Sequence, residues 1–132
     1  MGATQSINKL NYEDILHIVD YPLEYTLINT MGFDDQICLI PTTIDANKEE
    51  YILNGLLRAR NKDRKIVIYG RNCNDETIFT KYKQIVSLGF QNVYVYPGGM
   101  FEWLLLDDVY GQFPIVNKVV DLLKYKPKSI LQ

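Results

Sequence analysis

Cysteine is scarce in this sequence: Cys38 and Cys73 are the two among 132 residues, and neither stands at ligand spacing from another cysteine or histidine. A disulfide framework and a structural zinc site are therefore not expected. Long apolar runs are missing as well. No stretch approaches the roughly 18 residues that a membrane helix requires, so the chain is not expected to span a bilayer. A surplus of positive charge is also lacking, with 14 Lys and Arg against 16 Asp and Glu and a net charge of -2. The basic residues are scattered and leave no electrostatic footprint for nucleic acid, which is excluded as an expected partner. The first residues lack a charged segment followed by an apolar one, so no signal peptide is expected and a reducing, cytoplasmic setting is. Histidine occurs once, as His17, with no cysteine or acid placed to complete a triad, which favours a surface or packing role. No residue cluster implies a metal or an organic cofactor.

What is present is the composition of one soluble α/β domain. Hydrophobic residues make up 47% and charged residues 23%, and the length suits a single hydrophobic core. Asn11 before Tyr12, Glu13 and Asp14 reads as a helix N-cap with acids in the first turn, and Ile15, Leu16 and Val19 give that helix an apolar face before Pro22 stops it. Residues 25–29 and 37–40 are short apolar runs bounded by turn formers, as expected of buried central strands. Tyr51, Ile52, Leu56 and Leu57 recur at helical spacing within residues 47–60. The middle of the chain is clearest. Residues 65–69 form a strand, 70–75 a polar turn, 76–88 a helix closed by Gly89, and 92–96 another strand, which together make a βαβ crossover. Pro97, Gly98 and Gly99 end that strand, residues 101–106 form an apolar segment, and residues 117–125 make a last amphipathic helix bearing Val119, Val120, Leu122 and Leu123. The expected division is an N-terminal segment, 1–10, and one domain, 11–132.

The run IVIYGRNCNDE, a helix ending in Leu88-Gly89-Phe90, and then NVYVYPGGMFEW resembles the second half of rhodanese-like domains, with the similarity extending over residues 66–114. Gly98, Gly99 and Trp103 match that family's Gly-Gly-x-x-x-Trp segment, and residues 111–116 look like the Gly-x-Pro stretch that follows it. The resemblance implies a single rhodanese-like α/β domain with a central, mostly parallel sheet and helices on both faces. The first half departs from the pattern: where the family carries Asp-x-Arg after an apolar strand, this sequence has Asn29, Thr30 and Met31.

In open α/β sheets, ligands bind beyond the carboxyl ends of the strands, where helix N-termini attract anions. The active-site-like loop at that place comprises Gly70, Arg71, Asn72, Cys73, Asn74, Asp75 and Glu76. In the family's sulfurtransferases the nucleophilic cysteine is the first loop residue, where backbone amides and the helix dipole stabilise its thiolate and persulfide. Here that position is Gly70. Cys73, three residues further on, is the candidate catalytic residue. Its proximity to Arg71 and a helix start is the kind of environment thiol reactivity requires, but a mid-loop side chain tends to point outward. Asp75 and Glu76 outnumber Arg71, disfavour an incoming anion, and are expected to cap the helix themselves.

The remaining candidates read more plainly as structure. Cys38 is expected as a small buried hydrophobe, and Trp103 with the residues around it as core. Asp107 and Asp108 are expected as a solvated helix end ahead of a cation site.

The opening residues Met1, Gly2, Ala3, Thr4, Gln5 and Ser6 fit the N-myristoylation pattern, which makes Gly2 a candidate lipidation site. One myristoyl chain without a basic cluster or a second acyl site gives only weak, reversible membrane association. Two functions compete. The preferred one is a non-catalytic or atypical rhodanese-like module that binds a protein partner and is recruited to membranes through Gly2. The other is a sulfurtransferase or persulfide carrier using Cys73, for which the resemblance implies a small sulfur-containing anion such as thiosulfate as donor. Redox sensing through Cys73 is a third reading.

Overall fold

The computed structural model describes residues 6–111 and 118–131. Four strands form one sheet in the order β1-β4-β3-β2, with β1 at Asn8–Lys9, β2 at Tyr25–Asn29, β3 at Lys65–Tyr69 and β4 at Asn92–Tyr96. Every pairing is parallel, and β2, β3 and β4 run in register so that Asn29, Tyr69 and Tyr96 end side by side. Among the described residues five α-helices cover the sheet: α1 at Tyr12–Val19, α2 at Glu49–Arg58, α3 at Thr77–Ser87, α4 at Gly99–Tyr110 and α5 at Lys118–Tyr125.

Alternation along each strand divides the core in two. Leu27, Val67, Tyr69 and Tyr96 face α1, α4 and α5, where Ile15, Trp103, Leu104 and Tyr125 are buried. Ile28, Ile66, Ile68, Val93 and Val95 face α2 and α3, meeting Leu53, Ile78 and Ile85. Both faces of a parallel sheet are thereby kept dry, which explains the near-continuous apolar strands. The expected cap on α1 forms as a reciprocal box: the Asn11 side chain accepts from the Asp14 N–H and the Asp14 carboxylate accepts from the Asn11 N–H, both at 2.9 Å. Gly89, at φ +104°, closes α3 in the left-handed conformation that favours glycine.

Three expectations are corrected. Residues 37–40 are not a strand. Ile37 is 98% exposed, and only Ile40 is buried, where its N–H donates to the Tyr69 hydroxyl. Pro41 supplies no N–H for a ladder, and contact with β2 comes just beyond it, through the Leu27–Thr43 bridge and the Ile44 N–H donated to the Leu27 carbonyl. β2 is accordingly the last of the four strands and not a central one. The apolar segment 101–106 lies within the helix α4, and Asp107 in that helix is fully buried, while Asp108 is exposed. The sheet also draws in Asn8 and Lys9, ahead of the first helix.

Candidate functional site

The loop from Gly70 to Glu76 leaves the end of β3 and enters α3, and two backbone N–H groups of α4 hold it. The Met100 N–H donates to the Gly70 carbonyl and the Phe101 N–H to the Arg71 carbonyl, each at 2.9 Å. Gly99 makes this approach possible. It sits at φ +65°, and a Cβ there would lie 2.6 Å from the Gly70 oxygen and 2.9 Å from the Arg71 carbonyl carbon and the Asn72 nitrogen. Gly99 is therefore a contact between two chain segments where no side chain fits.

The centre of the loop is already occupied by a carboxylate. Asp75 Oδ2 accepts the Arg71 N–H at 2.9 Å, and Oδ1 accepts the Thr77 N–H at 3.0 Å. The Thr77 hydroxyl donates to the same carboxylate and lies 2.7 Å from the Thr30 hydroxyl. The Thr77 donors stand at the start of α3, where they would otherwise attract an anion from solution. Asp75 thus caps the helix, whereas the Glu76 side chain makes no capping bond. The same carboxylate closes the first loop position: a Cβ on Gly70 would lie 2.4 Å from Asp75 Oδ2, 2.9 Å from its Cγ and 3.0 Å from the Thr30 hydroxyl. Gly70 is not in the left-handed region, so this restriction is purely one of space.

Cys73 is exposed, with its thiol 3.8 Å from the Asn74 amide oxygen. Arg71, its expected cationic neighbour, is committed elsewhere. The guanidinium bonds Asp35, donates to the Lys124 carbonyl at 2.8 Å and stacks 4.8 Å from the centre of the Tyr125 ring. Lys124 Nζ meets the other Asp35 oxygen at 2.7 Å, and this bond is the largest cause of its raised pKa. Asn72 turns its side chain both ways, accepting from the Asn74 N–H at 2.9 Å and donating to the Tyr125 carbonyl at 2.9 Å. The end of α5 is in this way tied across the loop.

A groove of about 670 Å³ opens at this end of the sheet. Thr30, Met31, Arg71, Asn72, Asn74, Asp75 and Thr77 line one side and Leu123, Lys124, Lys126 and Lys128 the other, and Cys73 is not among its lining residues. Sequence reasoning missed Asp35 and Lys124, which stand far apart in the chain from the loop they brace. It also missed what replaces the Asp-x-Arg pair. Asn29 and Gln36 bond amide to amide at 2.8 and 3.0 Å, a neutral pair that fixes the end of β2, and the Asn29 oxygen accepts the Met31 N–H at 3.1 Å.

The other candidates stay outside the groove. Cys38 is half-buried, and burial first, with Asp121 second, pushes its thiol up to about 11. Trp103 is fully buried in the core. His17 is exposed and packs its ring against Tyr21 and Tyr25 at 4.7 and 6.1 Å. Gly2, Val116 and the rest of 112–117 lie outside the described residues, as do the side chains of Val119 and Val120. Among the described residues no group of His, Cys, Asp and Glu is placed to hold a metal ion, and no helix is long and apolar enough to cross a membrane.

The family model described as a rhodanese-like domain matches residues 23–106, more than half of the chain. No curated protein sequence matches. Among solved structures, an uncharacterized protein from Saccharomyces cerevisiae superposes with a TM-score of 0.59 at 16% identity, covering 84% of this chain and 100% of that one. A single-domain sulfurtransferase of the same yeast gives 0.57 at 17% identity, covering 82% and 97%. A thiosulfate sulfurtransferase from Pseudomonas aeruginosa gives 0.59 at 18%, covering 76% of this chain and 19% of that one. At these identities the likeness is one of fold.

Proposed function

This chain belongs to the rhodanese-like domain family, and we propose that it acts within that family as a non-catalytic module that binds a protein partner. The observation that carries this reading is the Asp75 carboxylate, which holds the loop amides of Arg71 and Thr77 and fills the space a side chain at position 70 would need. A sulfurtransferase needs that cradle for the thiolate and the persulfide it becomes. Here the cradle already holds a fixed negative charge, which repels a second anion.

Cys73 supports the second reading, a sulfurtransferase or persulfide carrier, because its thiol is exposed. In that chemistry the thiolate attacks the outer sulfur of thiosulfate, an S–S bond forms to the protein, and sulfite leaves with the electron pair of the broken bond. Cyanide then takes the sulfur and the thiolate is regenerated. Against this reading stand the absence of Cys73 from the groove lining, although its neighbours Asn72 and Asn74 belong to it, and the engagement of Arg71 with Asp35. Sulfur transfer from thiosulfate and 3-mercaptopyruvate to cyanide, compared among wild type, Cys73→Ser and Cys38→Ser, decides between them. The expected result is no transfer by any of the three; activity lost only in Cys73→Ser overturns the non-catalytic reading.

Gly2 is proposed as an N-myristoylation site giving weak membrane recruitment, on the strength of the sequence pattern Met1 to Ser6. Incorporation of a myristate analogue in a eukaryotic cell, abolished by Gly2→Ala, is the expected result, and absence of label in wild type refutes it.

A further inference from the structure

Two grooves of opposite character meet at Met31, the residue that lines both. One is the groove over the loop, where Leu123, 60% exposed, stands beside Lys126 and Lys128. Among the described residues neither lysine is paired, whereas Arg71 and Lys124 share the single carboxylate of Asp35. The second groove, about 550 Å³, carries Phe33 and Ile37, 88% and 98% exposed, beside Asp34 and Asp45. Among the described residues Asp34 makes no ion pair and the Asp45 carboxylate caps only the neighbouring Asn47 N–H. Large apolar side chains held in water together mark an interaction surface. Here the acidic half and the basic half each carry an apolar anchor.

From this arrangement we infer that the surface docks a second copy of this chain. A two-fold axis passing near Met31 lays the basic groove of one copy over the acidic one of the other, and the same operation lays the acidic groove of the first over the basic one of the second. Any pair of adjacent complementary patches satisfies itself twice in this way, which is the defining property of an isologous dimer. Lys126 and Lys128 then face Asp34 and Asp45 of the other copy, while Phe33, Ile37 and Leu123 leave water. The charges set the register and speed association, and the buried apolar anchors supply most of the affinity. The contact covers the mouth of the loop groove in both copies. It goes beyond the non-catalytic reading and does not depend on it, since sulfur-transfer assays test the loop and association tests the surface.

Sedimentation velocity of the full chain, from micromolar to submillimolar loading, tests the inference. Wild type is expected to shift from monomer to dimer with concentration. Lys126→Glu with Lys128→Glu, and separately Asp34→Lys with Asp45→Lys, should each weaken self-association by at least about tenfold. An equimolar mixture of the two reversed chains should recover the dimer, because each then meets its complement. Phe33→Ser with Ile37→Ser removes exposed side chains only and should abolish association with an unchanged circular dichroism spectrum. A wild type that stays monomeric throughout overturns the inference and leaves the surface to a different protein. So does a dimer indifferent to both reversals, or a mixture that fails to recover it.

Discussion

If Asp75 is what closes the first loop position, Gly70→Cys should destabilise the protein, and removing Asp75 at the same time should relieve the damage. The introduced Cβ would start 2.4 Å from Asp75 Oδ2, so the carboxylate must leave. Leaving strands the Arg71 and Thr77 N–H groups that it accepts at 2.9 and 3.0 Å. With a net value of about 1 kcal/mol for each such bond, that loss is about 2 kcal/mol, and crowding against the Thr30 hydroxyl adds about 1 kcal/mol. Gly70→Cys alone is thus expected to cost about 3 kcal/mol. Asp75→Ala alone loses the same two backbone bonds without the crowding, about 2 kcal/mol, the Thr77 hydroxyl keeping the Thr30 hydroxyl as partner. The double variant loses those bonds only once, so it should be about 2 kcal/mol more stable than the sum of the single effects.

Urea denaturation of the four proteins measures this cycle directly. The second readout is chemical. In the double variant the loop amides face the new thiol, so incubation with thiosulfate should leave one extra sulfur on the protein by mass spectrometry, and in Gly70→Cys alone it should not. A Gly70→Cys stability within about 0.5 kcal/mol of wild type, simple addition of the two effects, or sulfur uptake by the single variant as ready as by the double would each exclude Asp75 as the group that closes the position.

Asp35→Asn should destabilise by about 2 kcal/mol, less than for a fully buried pair, because it leaves the half-exposed Arg71 and Lys124 without their shared carboxylate; thermal or urea melts check this, and an unchanged midpoint refutes it. Gly99→Ala meets both a positive φ and the Gly70 carbonyl at 2.6 Å, so a loss above about 2 kcal/mol is expected; a soluble variant with wild-type stability would show that the two backbones are not in contact. Iodoacetamide at neutral pH should label the exposed Cys73 and spare Cys38 until the protein unfolds. The Cys38 thiol, raised by burial from 9.0 to about 11 in the folded protein, makes the folded state hold a proton that the unfolded chain gives up. Its contribution to stability is therefore present below pH 9 and is lost as pH rises toward 11. Comparing wild type with Cys38→Ala across that range measures it; equal slopes for the two proteins refute it.

Much of the fold was legible because it is written in local chemistry. The short apolar runs of β2, β3 and β4, the Asn11 cap, Gly89 after α3 and the βαβ spacing each act within a few residues, and such signals reach the sequence intact. The position of the loop, the glycine at its head and the departure from Asp-x-Arg were legible for the same reason. Residues 37–40 misled because an apolar run looks alike whether or not a neighbouring strand is there to pair with it, and Asp107 because a carboxylate's burial depends on what packs over its helix. The meaning of Gly70 was not legible at all. That it is glycine because Asp75 fills its space, that Gly99 exists to let two backbones touch, and that Asp35 draws Arg71 away from Cys73 toward the end of α5 are all contacts between groups the chain brings together only on folding. The sequence by itself determined which residues stand at the mouth of the sheet. Only the tertiary structure decided which of them is engaged, because a hydrogen bond or a steric overlap depends on distances in space that spacing along the chain does not specify.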